Sequence, residues 1–130
     1  MIGRITLTLG GVLAPCMLRS VIAPAQDVPG IARNVDYIAP MLYPSHWNNG
    51  EYNLKNPEKD PEKIVELALV DFQKDMVGTN RPLVTWVQDF TVKVPYGLPE
   101  VQAQIAGGAK VGVDSWLLWN PNVRYSISAG

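Results

Sequence analysis

Arg81-Pro82-Leu83-Val84-Thr85-Trp86-Val87-Gln88-Asp89-Phe90 reads as a β-strand, because β-branched and aromatic residues crowd it and Asp89 closes it. Upstream, Asp60-Pro61-Glu62-Lys63 offers an N-cap, a proline at the first helical position and an early acid. Ile64, Ala68, Phe72 and Met76 then recur at spacing four, with Val65 and Leu69 beside them. Glu66, Asp71, Lys74 and Asp75 fall on the other side, so the segment predicts an amphipathic helix, stopped at Gly78. Downstream, a loop through Pro95-Tyr96-Gly97 leads to a second helix from about Pro99 to Val111, with Val101, Ile105 and Ala109 on its inner face. Gly107-Gly108 reads there as a weakness, since each glycine costs about 1 kcal/mol against alanine.

Further out, two more apolar runs complete the alternation. Val35-Asp36-Tyr37-Ile38-Ala39-Pro40-Met41-Leu42-Tyr43 suits a strand buried on both faces, although Pro40 donates no ladder bond. Val113-Asp114-Ser115-Trp116-Leu117-Leu118-Trp119 is a third strand, ended by Asn120-Pro121-Asn122. The polar stretch from Pro44 to Asp60 is a long loop, a length that is often functional. Strand, helix, strand, helix, strand is the order of an α/β fold with parallel strands. Three such strands leave open edges and an uncovered face.

The 130 residues hold one domain at most, and 47% hydrophobic with 18% charged residues is globular composition. A net charge of -1 offers nothing to nucleic acid. Cys16 is the single cysteine, so neither an internal disulfide nor a multi-cysteine metal site can form. Residues 1–25 differ from the rest. Arg4, the run Ile5-Thr6-Leu7-Thr8-Leu9-Gly10-Gly11-Val12-Leu13-Ala14 and Ala23-Pro24-Ala25 have the layout of a secretory signal peptide. Read by alternation, residues 4–13 are instead a buried strand of a domain whose beginning is lost. The first reading places the chain outside the cell or at its envelope, the second leaves a cytoplasmic site open. The apolar run is too short for a membrane span under either.

The segments Val35–His46, Arg81–Phe90 and Trp116–Pro121, with Gln102-Ala103-Gln104-Ile105 between the last two, resemble the putative glycosyl hydrolase domain family, DUF4015. The resemblance runs over roughly residues 26–125. It implies the C-terminal portion, about three βα units, of a (β/α)8 TIM-like barrel similar to those of α-amylases and chitinase-like glycosidases. The three strands would be the sixth, seventh and eighth. The family's acidic fourth-strand motif has no counterpart in this sequence. A full barrel needs about 250 residues, which divides the chain into residues 1–25, a signal-like or remnant segment, and residues 26–130, a partial domain.

In such barrels the active site lies at the C-terminal ends of the strands. Here those ends carry Tyr43, Ser45, His46 and Trp47, then Gln88 and Asp89, then Trp119 and Asn120. Aromatic faces and hydrogen-bonding side chains are what a sugar requires. Asp89 is the candidate catalytic acid, and a loop cap is its structural alternative. Trp119 serves either core or sugar platform, whereas Trp86 and Trp116 sit inside their strands as core. His46 is the lone histidine and has no partner at metal-ligand spacing, so neither metal nor cofactor is expected. Asp36 and Asp114 precede their strands and lie at the opposite end. Glycoside hydrolysis needs two carboxyl groups, and only Asp89 is well placed. Three roles follow: a glycoside hydrolase-like domain completed by a missing N-terminal half, a carbohydrate-binding remnant, or a half-barrel that pairs with a second copy.

Overall fold

The computed structural model describes residues 7–8 and 27–126. Four strands occur among the described residues: β1 (Leu7–Thr8), β2 (Ile38–Ala39), β3 (Thr85–Gln88) and β4 (Trp116–Trp119). Helices α1 (Val28–Ala32), α2 (Pro61–Asp75) and α3 (Leu98–Lys110) lie between them. β1 pairs with β2 and β3 with β4, both parallel, and parallel bridges Ile38–Leu83 and Met41–Trp86 join the two pairs. The strands therefore run side by side in chain order, and the class is α/β with parallel strands. Of the early apolar run, Leu7–Thr8 forms β1 against Ile38–Ala39. Its remainder and Ala23-Pro24-Ala25 lie outside the described residues.

β2 is shorter than the apolar run around it. The carbonyl of Pro40 accepts from the Trp86 amide at 3.0 Å, but Pro40 has no N–H to return. Regular pairing thus stops at Ala39 and resumes as a single bridge at Met41. β4 is also shorter than expected. The Val113 amide turns back to the carbonyl of Gly108 at 3.0 Å and closes the end of α3, with Gly112 at φ +75° in the turn.

α2 buries the stripe expected of it: Ile64, Val65, Ala68, Leu69 and Phe72, followed by Met76. These pack with Ile38, Leu42, Leu83 and Val113 into one core against the sheet. Asp60 takes the N-cap position but makes no side-chain cap bond, so Pro61 and its fixed φ begin the helix. The inner face of α3 differs from the expectation. Val101, Gln104, Gly107 and Gly108 are buried, while Ile105 is half-buried and Ala109 exposed. The two glycines are contact points, not weaknesses. A Cβ on Gly107 would stand 2.3 Å from the Glu62 carbonyl oxygen, and one on Gly108 would stand 2.9 Å from that of Val113. Bare backbone lets α3 approach α2 closely, and that packing outweighs the propensity cost of glycine.

Gln104 carries a second surprise. Val84 and Trp86 donate their amides to Ile38 and Pro40, so the next residue of that row, Gln88, faces β2 as well. By then β2 has ended, and the Gln104 side chain takes its place. Gln88 N donates to Gln104 Oε1 at 2.7 Å, and Gln104 Nε2 donates to Gln88 O at 2.8 Å. One side-chain amide thus supplies both hydrogen bonds of a missing strand residue.

Candidate functional site

Alternation along the strands separates two faces. Ile38, Leu42 and Leu83 point into the helix-covered core. The paired residues Met41, Trp86 and Leu117, with Tyr43, Gln88 and Trp119 two positions on, share the opposite face. Trp86 and Trp119 meet edge to face at 6.2 Å on that side. Trp86 and Trp116, expected in the core, are only half-buried, because among the described residues no helix covers the face of the first and β4 has a free edge beside the second.

At the C-terminal end of this face Tyr43 is 2% exposed, and its ring meets His46 at 5.2 Å and Phe90 at 5.5 Å, edge-on in both cases. The chain bends there into a 3-10 turn, Pro44–His46, which throws His46 back over the Tyr43 ring. Ser45 N donates to Gln88 Oε1 at 3.1 Å, and Gln88 Nε2 donates to the Phe90 carbonyl at 2.8 Å. Gln88 thereby ties the loop after β2 to the loop after β3. Burial, and then the phenol of Tyr125, raise the pKa of Tyr43 well above the ordinary tyrosine value, so its hydroxyl stays protonated and can donate. Burial lowers the pKa of His46, favouring the neutral imidazole. Tyr43 Oη, Ser45 Oγ and Trp86 Nε1 are buried with no hydrogen-bond partner among the described residues. Trp47 Nε1, on the helix side, is a further atom of this kind, and such groups are rare in native proteins.

Asp89 is 4% exposed and fully engaged. Ser126 N donates to Oδ2 at 2.6 Å and Ser126 Oγ to Oδ1 at 2.9 Å. The carboxylate thus anchors the C-terminal tail over the end of β3. Asn120 is engaged too: its amide nitrogen donates to the carbonyls of Asp89 and Arg124, and its oxygen accepts from Asn122 N. Trp47 packs into the helix-side core, edge-on to Tyr52 at 5.5 Å. Trp119, 42% exposed, is the open aromatic face of the group.

The structure therefore gathers Tyr43, Ser45, His46, Gln88 and Asp89 at one end of the sheet, with Trp119 and Asn120 on the neighbouring strand end, and turns Trp47 away. Asp36 and Asp114 are exposed at the far end of their strands. Near Asp114 a shallow cavity of about 480 Å³ is lined by Gln73, Met76, Asn80, Arg81, Asp114 and Ser115. No group of three or more metal-ligating side chains occurs among the described residues. No helix among them is long and apolar enough to cross a membrane.

The model of a family described as putative glycosyl hydrolase domain, DUF4015, matches residues 16–125. The chain belongs to that family. The matched span includes all three strand ends and Asp89, Trp119 and Asn120. It begins at residue 16, ahead of Ala23-Pro24-Ala25 and of the boundary expected at residue 25. No curated protein and no solved structure is significantly similar to the chain.

Nothing in the sequence of this DUF4015 domain marks Glu58, Tyr96 or Ser126 as functional, and Gln104 stands out only within the segment Gln102–Ile105 that resembles the family. Each acts through one to three tertiary hydrogen bonds, and none stands in a periodic pattern. Ser126 has a signal of position only, since Asn120-Pro121-Asn122 predicts a turn that sends the tail back across the strand ends.

Proposed function

We propose that the chain supplies one wall of a carbohydrate-binding cleft in a glycoside hydrolase-like (β/α) barrel, and that alone it binds sugar without hydrolysing it. The carrying observation is the cluster at the C-terminal end of the sheet, Tyr43, His46 and Trp119, with the ring of Trp119 open to solvent. A pyranose presents an apolar ring face to an aromatic platform and hydroxyl groups to polar side chains. The buried hydroxyls of Tyr43 and Ser45 and the half-buried His46 are the polar groups left to meet them. The parallel strands in chain order, with α2 and α3 packed on one another, agree with the barrel reading.

The engaged state of Asp89 supports the second half of the proposal. A glycosidase needs one carboxyl group to protonate the leaving oxygen and another to attack or to activate water. Both oxygens of Asp89 are occupied by Ser126, so as it stands this group serves architecture. The full reaction would draw its second carboxylate from elsewhere in a complete barrel.

The test is a titration of tryptophan fluorescence with soluble oligosaccharides, run beside an assay for released reducing ends. Saturable quenching that Trp119→Ala abolishes, without turnover, is the expected result. Absence of saturable quenching across α- and β-linked glucans, chitin and mannan oligomers would sink the binding reading, and robust turnover would sink the claim that the chain is not a catalyst alone. The half-buried Met41, Val84 and Leu117 favour a second reading, in which two copies cover each other's open face. Light scattering that shows a dimer with sugar-insensitive fluorescence would point there.

A further inference from the structure

Glu58 is 5% exposed, although Lys55, Lys59 and Asp60 around it are in solvent. A carboxylate leaves water only where hydrogen bonds repay the loss. Those bonds run across to another loop. Glu58 Oε1 accepts from Lys93 N at 3.0 Å and Val94 N at 3.1 Å, two successive amides of the segment between β3 and α3. The Glu58 carbonyl accepts from Tyr96 Oη at 2.7 Å. Both ends of the contact are themselves braced. Asn56 Oδ1 accepts from Lys59 N at 3.3 Å and holds the 3-10 turn Pro57–Lys59 that presents Glu58. Tyr96 N donates to Thr91 Oγ1 at 3.1 Å, which curls the receiving segment.

We propose that Glu58, with Tyr96, is a positioning residue that latches the loop after β2 to the loop after β3 and sets the rim of the carbohydrate cleft. The inference rests on the sugar-binding reading above. The two loops are already joined at their root, where Gln88 takes the Ser45 amide and donates to Phe90. The Glu58 contact is a second tie at the rim. Tyr43 meets His46 and Phe90 edge-on beside the root tie. The loop after β2 is also anchored to the helix side by Trp47 in the core and by Tyr52, whose hydroxyl donates to Asp71 at 2.7 Å. The Glu58 contact is what fixes its far part against the segment after β3, so that the two loops hold one spacing and the groups they carry are held ready for a ligand. Preorganisation of this kind raises affinity by lowering the ordering cost of binding.

The experiment compares the full chain with Glu58→Ala, Glu58→Gln and Tyr96→Phe, by amide hydrogen exchange over residues 91–97 and by oligosaccharide titration of tryptophan fluorescence. Glu58→Ala should speed exchange at Lys93 and Val94 by roughly tenfold or more and weaken sugar binding by about tenfold. Glu58→Gln keeps an accepting oxygen at the same place and should restore most of both. Tyr96→Phe removes one bond, leaves the chain otherwise intact and should fall between. Unchanged exchange in Glu58→Ala, or in Tyr96→Phe if the alanine variant does not fold, overturns the latch. Faster exchange with unchanged sugar affinity overturns its positioning role. If the unsubstituted chain binds no sugar, the cleft reading fails together with that role, and exchange still decides whether the latch exists.

Discussion

The two faces of the sheet are built from different materials. On the helix side Ile38, Leu42 and Leu83 are aliphatic and buried against α2, and no histidine packs there. On the other side stand Tyr43, Trp86, Gln88 and Trp119, aromatic or polar, with exposure growing towards β4. Parallel sheets are ordinarily covered on both faces, and both faces are then aliphatic. Here the face that no described helix covers carries aromatic and polar residues beside Met41 and Leu117. Substitutions on the helix-packed face should act on stability, and those on the other face on the ligand binding proposed above.

The sharpest break is expected on the helix side. Gly107→Val places a side chain against the Glu62 backbone, where the Cβ position already stands 2.3 Å from the carbonyl oxygen. Backbone cannot rotate aside as a side chain can, so chemical denaturation should show a loss of about 3 kcal/mol. Ala106→Val, at an exposed site one residue earlier, should cost only the propensity difference of about 0.6 kcal/mol. Equal losses from the two would mean that α2 and α3 are not in close contact.

Next in size is Gln104→Ala, at the boundary between the faces. It leaves the amide and the carbonyl of Gln88 without their partner at the point where β2 has ended. Stranding buried backbone groups should lower stability by about 2 kcal/mol. It should also loosen Gln88, and through it the root tie between the two loops, so protection of the Ser45 amide should fall together with stability. A loss of stability with Ser45 protection intact would separate the helix face from the site.

These two positions also mark where the sequence stops being legible. The stripe of α2 was readable because Ile64, Ala68 and Phe72 are apolar and regularly spaced. On α3 only Val101 was, because the rest of its buried face is a polar amide and two glycines. Hydropathy ranks Gln104 as surface and Gly107 as a defect, and neither ranking can register a backbone approach or a missing strand neighbour. The candidate site divides the same way. That Tyr43, Gln88, Asp89 and Trp119 share one end of the sheet was legible because strand ends can be located from the alternation of strand and helix. What engages them could not be found. Ser126 lies on a tail with no pattern, and Glu58 looks like any acid of a polar loop until two amides of a distant segment come within 3.1 Å of it.

The smallest effect belongs to the uncovered face and is a dependence on pH. Burial beside Tyr43 lowers the pKa of His46 from its ordinary 6.5. Between the folded and the unfolded value the unfolded chain binds more protons than the folded one, so stability increases with pH across that window. The contribution of neutral His46 is therefore complete above about pH 6.5 and is lost as pH falls through the folded pKa. Denaturation midpoints measured from pH 7.5 down to pH 5.5, above the range where carboxylates begin to titrate, should fall slightly in the unsubstituted chain. In His46→Gln the slope should flatten. The helix side gives no such slope, since no histidine packs there. An unchanged slope in His46→Gln would place the titrating group elsewhere and remove the electrostatic distinction between the faces, and a slope that vanishes would assign it to the imidazole packed on the Tyr43 ring.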